Sequence, residues 1–538
     1  MSKSTLLIRQ TLFHRPRRNI AGSSSQRTST SPQRRNAAAP ALATNIRPFN
    51  EIPGPIALPM LRHSAHVLPR IGSYHHTVGL GLLEGLRDKY GDLVRLAKAS
   101  RTRPVLYVFD PELMQEVYES RATEPPRFEK SPLCHHRRGI GECPAHSDET
   151  KAIWAAIRAL LKDGTLLKNY EKAFDDIAAD TTRRLGELRY AENALNEELE
   201  TEIYRWAIET IGMMIFGIRL GCLDGAVHRP CSKTRKPEKT SMDDEIQDLC
   251  SLSKRCFEEL TPAERLVRCS RDIADGNFLV RSEATLKTEN QTFNNALKAF
   301  DRHFNLTEHF LVKALEELNS AELRPEQTLL DKLRPLERRM LPLAADILLA
   351  GVNPLAQTAL HMFYQLSLHA ARQQRAHDEV HWSIASRNEG DSPELPYVAA
   401  CAREAMRLHP ATGGVVRRNR EPILLAGFEI PAGVDIVLAH GVTSKSEKQW
   451  GRANAFVPER WCSEGWQPLK ASRAHPYASK PFGESCPGTG AVGSMLSALT
   501  TRVLDKYRLE WHGPSPSVAT SGVNRLHPPF YFVLQNAA

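Results

Sequence analysis

Three short segments of this 538-residue chain carry charged and thiol side chains in a specific order. Glu404 and Arg407 lie three residues apart on a predicted helix, so their side chains share one face and can form an ion pair. Further along the chain, Pro458–Trp461 contains another arginine, and residues 481–488 place Cys486 in a glycine-containing loop before a predicted helix. Glu-x-x-Arg alone is common on surface helices, and it is the ordered combination that is specific.

This combination resembles the cytochromes P-450, the heme-thiolate monooxygenases, and the resemblance covers residues 48–538. It implies that Cys486 is the thiolate ligand of the iron of a heme b cofactor, on the proximal side. It also implies that Glu404, Arg407 and Arg460 form a buried network supporting the heme-binding core. The expected reaction adds one oxygen atom of O2 to a bound substrate as a hydroxyl group.

Further positions match family residues that contact heme. Trp154, Arg158 and Arg417 correspond to residues that hold the heme propionates, and guanidinium groups suit this task because they bind carboxylates in a fork geometry. Phe482 and Gly488 in the cysteine loop complete the predicted cofactor-binding set. Without the other motifs, Trp154 or Arg158 would be interpreted as an ordinary helical residue.

The first fifty residues hold the whole basic excess of the chain, whose formal net charge is +9. They contain nine Lys and Arg residues and no acidic residue, while the other 62 Lys and Arg residues balance the 62 Asp and Glu residues. A neutral body argues against nucleic-acid binding. The Arg- and Ser-rich composition predicts that residues 1–47 are a disordered mitochondrial targeting presequence, with a plain basic tail as the alternative.

Residues 204–211, residues 219–223 and the Pro-rich start at residues 49–55 resemble the mitochondrial class of the family. Within this class the chain is similar to animal steroid hydroxylases. Its overall sequence, including the segment at residues 507–513, resembles the arthropod ecdysteroid-synthesising branch. The resemblance implies a steroid or related lipid substrate, and electrons from a mitochondrial ferredoxin supplied by its reductase. It also implies a matrix location that allows peripheral contact with the inner membrane.

The cysteine loop departs from the family pattern. Phe482 stands four residues before Cys486 where the family has seven, no Arg precedes the cysteine, and Glu484 is close to it. A nearby carboxylate disfavours the thiolate, whereas loop amides favour it.

The predicted distal helix departs as well. Asn353 and Leu355 occupy the positions of the usual catalytic acid and alcohol, so the usual proton relay is lost. Pro354 removes a helix hydrogen bond and favours a kink. We therefore hypothesise that protons for oxygen activation come from water or from a substrate hydroxyl.

The expected ferredoxin-docking positions hold few cations. Arg403 keeps one positive charge, but Ala399 stands where lysine is usual, and Thr489 and Gly490 stand where the class has arginines. Electrostatic steering of the ferredoxin should therefore be weaker.

Several elements must position these residues. The pattern predicts a helix over 78–91, a strand over 105–109, mostly helices over 150–385, a small sheet over 421–440 and a helix over 491–506. Residues 49–55 are predicted to be extended, and residues 228–240 to be a surface loop. The sequence contains no run of about 20 apolar residues, so no membrane span is predicted. The fold class is mainly α, an α+β domain with a smaller β region.

Other interpretations stay open. Cys134, His135, His136, Cys143 and His146 lie close together, but their spacing is poor for zinc, and a polar loop at the substrate entrance is preferred. The chain could also be a degenerate family member that binds heme or sterol without turnover. A third interpretation is that the gene prediction behind this sequence is faulty, so that residues around position 483 were omitted and others altered.

Overall fold

A computed structural model describes most of the chain outside its first 45 residues. The described residues are 46–55, 80–96, 103–125, 131–139, 148–162, 164–189, 195, 198–225, 259–281, 291–320, 328–385, 395–463, 467–481, 483, 486–520 and 523–537. Residues 1–45 of the predicted presequence and the predicted loop at 228–240 lie outside them.

Helices make up most of the described residues. They are α1 (Leu80–Tyr90), α2 (Pro111–Glu119), α3 (Pro132–Gly139), α4 (Asp148–Lys162), α5 (Thr165–Lys168), α6 (Glu171–Leu188), α7 (Glu198–Phe216), α8 (Pro262–Arg281), α9 (Gln291–Ser320), α10 (Leu329–Leu333), α11 (Met340–Leu368), α12 (Ala370–Ala385), α13 (Pro396–Leu408), α14 (His440–Thr443) and α15 (Thr489–Lys506).

Short strands form a smaller β region. They are β1 (Arg47–Pro48), β2 (Leu93–Leu96), β3 (Val105–Val108), β4 (Thr123–Glu124), β5 (Val415–Asn419), β6 (Ile423–Leu425), β7 (Phe428–Ile430), β8 (Asp435–Leu438), β9 (Tyr507–Trp511), β10 (Val518–Thr520), β11 (Asn524–Leu526) and β12 (Phe532–Asn536). One sheet has the order β2-β3-β8-β5-β4, a second has β1-β7-β6, and β10–β11 and β12–β9 are two-stranded pairs. The predicted mainly-α fold class is confirmed.

Local sequence explains the elements that border the main sheet. Gly91 ends α1 with a φ of +94°, a left-handed conformation that glycine adopts without steric cost. Asp110 caps α2 by accepting the N–H groups of Glu112 and Leu113, with Pro111 in the first helical position. In β3, buried and half-buried residues alternate, which places one face against the core.

Two apolar helices form the centre of the core. On α7 nearly every residue is buried, including Trp206 and Phe216, and α7 packs against α11. Among the described helices, α11 alone has the length and apolar composition of a membrane span. Of its most apolar 18-residue window, 61% is buried inside the protein, which fits a core helix.

The structure corrects three predictions. Residues 49–55 begin with a 3-10 turn at Phe49–Glu51, stabilised by the bond from the N–H of Ile52 to the Phe49 carbonyl. The strands within 421–440 belong to two sheets, because β8 pairs with β3 while β6 pairs with β7. Residues 132–139, predicted as part of a polar loop, form helix α3.

Candidate functional site

Glu404 is the centre of a fully buried ion-pair network. Its carboxylate accepts hydrogen bonds from Arg407 Nε at 2.9 Å and Nη2 at 2.8 Å, and from Arg460 Nε at 3.0 Å. Trp461 Nε1 donates to the same carboxylate at 3.0 Å, and the N–H of Val457 at 3.1 Å. The structure therefore brings together the three residues of the predicted network.

Arg407 also joins α13 to the segment that follows α14. Its Nη1 donates to the carbonyl oxygens of Ser444 at 2.6 Å and Ala453 at 2.7 Å. Arg460 extends the network, because its Nη2 donates to the Arg452 carbonyl at 2.8 Å. Every nitrogen atom of the two guanidinium groups thus donates to at least one oxygen atom, which is what a buried cation requires.

Cys486 lies three residues before the start of α15. Burial raises the pKa of its thiol above the ordinary value, while the backbone N–H groups of Gly488 and Thr489, the Thr489 hydroxyl and the charge of Arg158 lower it. Donors and a cation around a sulfur atom are the environment that stabilises a thiolate. Phe482 and Glu484, which belong to the same loop, lie outside the described residues.

Gly483 connects the cysteine loop to strand β5. It has a φ of +68°, and a Cβ atom there would lie 2.8 Å from Val415 Cγ2. Gly483 thereby allows its backbone to lie directly against Val415, whereas a Cβ at Gly488 would make only an ordinary contact, 3.8 Å from Cys486 Sγ.

The predicted propionate-binding residues come from two elements. Trp154 and Arg158 are half-buried on α4, one helical turn apart, and α4 packs against α15. Arg417 lies on β5, where its Nη2 donates to the Thr123 carbonyl at 2.8 Å. Its guanidinium also lies 5.6 Å from the centre of the Tyr118 ring.

These residues fit heme b. A thiol ligand with N–H donors and an arginine beside it suits the iron, and Gly483 brings the cysteine loop against the strand that carries Arg417. Arg158 and Arg417 carry guanidinium groups of the kind that would bind the two anionic propionates.

Helix α11 continues through Pro354. The Thr358 hydroxyl donates to the Pro354 carbonyl at 2.7 Å within the helix. Asn353 accepts a hydrogen bond from the Tyr204 hydroxyl at 2.6 Å, so its side chain is joined to α7. Leu355 is 2% exposed and belongs to the main apolar core. Neither side chain can titrate.

Two of the three segments that resemble the mitochondrial class, residues 204–211 and 219–223, meet in the structure. Glu209 on α7 accepts the N–H groups of Leu220 at 2.9 Å and Cys222 at 2.8 Å, and Arg219 Nε at 2.8 Å. A buried carboxylate thereby fixes the turn after the helix, which gives a physical reason for finding both segments together.

The sequence analysis missed a further buried carboxylate, Glu200. Glu200 on α7 is 2% exposed and accepts Arg525 Nε at 2.8 Å and Gln357 Nε2 at 3.0 Å. It also lies 3.4 Å from Arg271 Nη2. Arg525 is 325 residues away in the chain, so no local spacing could have indicated the pair.

The described members of the Cys/His cluster, Cys134, His135 and His136, lie together on α3. Cys134 is buried on α3, and His136 Nε2 lies 2.7 Å from Asp301 Oδ1 on α9. Cys143 and His146 lie outside the described residues. Within the described part of the chain, no three His, Cys, Asp or Glu side chains are grouped to hold a metal ion.

Comparison with known proteins identifies relatives across most of the chain. A family model described as Cytochrome P450 matches residues 66–533. The chain is 23% identical to "Probable cytochrome P450 301a1, mitochondrial" of Drosophila melanogaster, over 87% of this chain and 83% of the relative. It is also 23% identical to "Probable cytochrome P450 49a1" of the same species, over 87% and 80%. With the human "25-hydroxyvitamin D-1 alpha hydroxylase, mitochondrial" it shares 27% identity, over 79% and 81%.

Proposed function

Since this chain belongs to the cytochrome P450 family of heme b monooxygenases, we propose that it is a mitochondrial enzyme that hydroxylates a steroid or related lipid. The overall reaction inserts one oxygen atom of O2 into a C–H bond and reduces the other to water with two electrons and two protons. Bound heme supplies the iron at which O2 is activated.

One observation carries the proposal: Cys486 lies three residues before α15, where the N–H groups of Gly488 and Thr489 and the charge of Arg158 oppose the rise in the pKa of its thiol that burial causes. The Cys486 thiolate would hold the heme iron, and the N–H groups of Gly488 and Thr489 would donate hydrogen bonds to its sulfur. Arg158 and Arg417 are the proposed partners of the propionates, with Trp154 beside Arg158 on the same helix. For Arg417 this means exchanging its bond to Thr123 for a carboxylate.

The proposed electron donor is a mitochondrial ferredoxin with its reductase. Arg403 is exposed on α13 and Ala399 is one turn earlier on the helix, while Thr489 and Gly490 are exposed at the start of α15. Arg403 is therefore the one cation among these four positions, so electrostatic steering is weak and we expect docking to depend only weakly on ionic strength.

The relatives support the location and the substrate class. Two of the similar proteins have names ending in "mitochondrial", as has a relative named for hydroxylation of 25-hydroxyvitamin D. A steroid-like lipid in the matrix, with an enzyme peripheral to the inner membrane, agrees with these names. Residues 1–47 are the proposed targeting presequence.

A second function, heme or sterol binding without turnover, is favoured by α11. Asn353 and Leu355 cannot deliver a proton, and the Asn353 oxygen is already bonded to Tyr204. Such a protein keeps the buried network of Glu404 but lacks side chains on α11 that deliver protons for oxygen activation.

The first test is the difference spectrum of the reduced protein with carbon monoxide. We expect the red-shifted Soret band of a thiolate ligand, its loss in Cys486→Ser, and its retention in Cys462→Ser, a matched change of a partly exposed thiol. A wild-type spectrum without the thiolate band would exclude the monooxygenase.

The second test separates turnover from binding. Purified protein with ferredoxin, reductase and NADPH is incubated with a panel of steroids, and hydroxylated product is measured by mass spectrometry. Spectral binding of a steroid without any product, in a protein with the thiolate band, would favour the second function.

A further inference from the structure

A cavity of about 220 Å³ lies beside the buried network. Two of its lining residues, Trp450 and Leu469, contact Arg407 and Arg460 of that network. Two segments form it, the loop after α14 and the turns that follow Trp461. Its lining residues are Glu447, Lys448, Gln449, Trp450, Gly451, Pro468, Leu469, Lys470 and Arg473. None of them belongs to the proposed heme or substrate site.

The lining is strongly basic. It contains three cations, Lys448, Lys470 and Arg473, and one carboxylate, that of Glu447. The Glu447 carboxylate accepts the N–H of Ala453 at 2.9 Å. Arg473 is exposed and makes no side-chain hydrogen bond or ion pair with the described residues. Cations that converge on a concave surface concentrate anions there.

The three cations are not equally available. Lys448 Nζ lies 3.6 Å from Asp92 Oδ2, and the Lys470 ammonium contacts the Ser463 carbonyl. Arg473 is thus the cation with the greatest capacity to bind a ligand. Its planar fork suits an oxyanion, because two parallel N–H groups can bind two oxygens.

A buried donor without a partner points to a ligand. Trp450 is 4% exposed, and its indole Nε1 has no hydrogen-bond partner among the described residues. A buried N–H without an acceptor destabilises a protein, so such groups usually meet water or a ligand. The Trp450 ring itself is held in place, because the Arg407 guanidinium lies 5.2 Å from its centre.

We propose that this cavity binds a phosphate-type oxyanion. Arg473 and Lys470 neutralise its charge, and the Trp450 N–H donates a hydrogen bond to one oxygen. The Leu469 carbonyl accepts a bond from Arg460 Nη1 at 3.3 Å, so the turn that lines the cavity also holds a member of the buried network. A bound anion therefore stabilises the segments around Arg407 and Arg460, and this effect is independent of heme chemistry.

The primary test is calorimetric titration of the full-length protein with inorganic phosphate, at ionic strength held constant with chloride. We expect saturable binding. Trp450→Phe keeps the ring and removes the N–H, and Arg473→Gln removes the cation, so each should weaken binding about tenfold. Lys172→Gln, an exposed change on α6, should leave the affinity within about twofold.

Vesicles identify the source of the phosphate group. Binding to phosphatidylcholine vesicles is compared with binding to vesicles that also contain phosphatidic acid, for the wild type and Arg473→Gln. Loss of the phosphatidic acid preference in Arg473→Gln, with competition by free phosphate, identifies a lipid headgroup as the ligand. Phosphate binding that depends on Arg473 without such a preference identifies a soluble phosphate compound.

Two results would overturn the proposal. One is a phosphate titration without saturation, or one that chloride reproduces at the same ionic strength. The other is saturable binding that neither Trp450→Phe nor Arg473→Gln weakens, because the anion would then lie elsewhere. Circular dichroism of both variants shows whether they keep the fold. We expect Arg473→Gln to keep it, because Arg473 is exposed.

Discussion

The carboxylate of Glu404 has five donors around it and two buried guanidinium groups that depend on its charge. A buried charge is tolerated only when it is paired and hydrogen-bonded, so the three residues behave as one unit. This unit also fixes the chain on both sides of it, since Arg407 bonds to Ser444 and Ala453. At the scale of single residues, Glu404 is thus the most sensitive position of the described scaffold.

We expect Glu404→Gln to lower the free energy of unfolding by about 3–5 kcal/mol, because it leaves two buried cations without their counter-charge. The matched control is Glu187→Gln, which removes a half-exposed partner of Arg183 and should cost about 0.3–0.5 kcal/mol. Denaturant titration followed by circular dichroism measures both. Equal losses in the two variants would contradict this account of the network.

The second prediction at the scale of single residues concerns Asn353 and Leu355. If protons reach the oxygen site only through water or substrate, restoring the missing groups with Asn353→Asp and Leu355→Thr together should raise hydroxylated product per O2 by about tenfold or more. Hydrogen peroxide release should fall in parallel. Leu349→Thr, on the same helix, is the control for a hydroxyl placed elsewhere. Tight coupling of O2 to product in the wild type would refute the hypothesis.

At the scale of elements, α11 combines a proline with unbroken helical structure from Met340 to Leu368. The proline has no N–H for the helix, and Thr358 donates its hydroxyl to the Pro354 carbonyl one turn later. Asn353 ties the same turn to Tyr204 on α7. The middle of this helix is therefore held by side chains as well as by its backbone.

We expect Pro354→Ala to raise the free energy of unfolding by about 1–3 kcal/mol, because it restores a backbone donor and removes the ring from the helix interior. The midpoint of thermal unfolding gives the first measure and denaturant titration the second. Thr358→Val, which removes the side-chain bond, should lower stability. A loss of stability in Pro354→Ala would instead mean that the neighbouring helices are shaped around the ring.

Local patterns predicted the elements well and their connections poorly. The helix over 78–91, the strand over 105–109 and the helix over 491–506 were predicted within a few residues, since periodicity, Pro and Gly act locally. The pair of Glu404 and Arg407 also follows from spacing on one helix. Glu200 with Arg525, and Tyr204 with Asn353, join distant segments, and only tertiary packing brings them together.

At the scale of the whole molecule, the fold keeps four histidines neutral, of which three are buried and His409 is partly buried. Burial lowers the pKa of His303, His361 and His440 from 6.5 to about 4, and lowers that of His409 well below its ordinary value. His361 donates from Nδ1 to the Gln357 carbonyl, and its ring stacks on that of His409 with centres 4.5 Å apart. The unfolded chain can protonate all four, but the folded chain resists it.

Stability should therefore be fully present above pH 6.5 and decline as the pH falls toward 4. The unfolded state binds more protons in this window, and each histidine contributes about 1.4 kcal/mol per pH unit. His303→Leu should reduce the slope by that amount, as measured by denaturant titration at a series of pH values. An unchanged slope in this variant would show that His303 does not contribute.

Strand β1 has a consequence for proteolytic maturation. Arg47 and Pro48 pair with Phe428 and Glu429, and the Arg47 guanidinium lies 3.8 Å from the centre of the Phe428 ring. A peptidase that trimmed the chain beyond Pro48 would turn β7 into an unprotected sheet edge with an exposed aromatic ring, which invites aggregation. A mature protein that retains Arg47 keeps this strand pair, so β1 favours a cleavage site before Arg47, which is earlier than the end of the presequence proposed from the sequence.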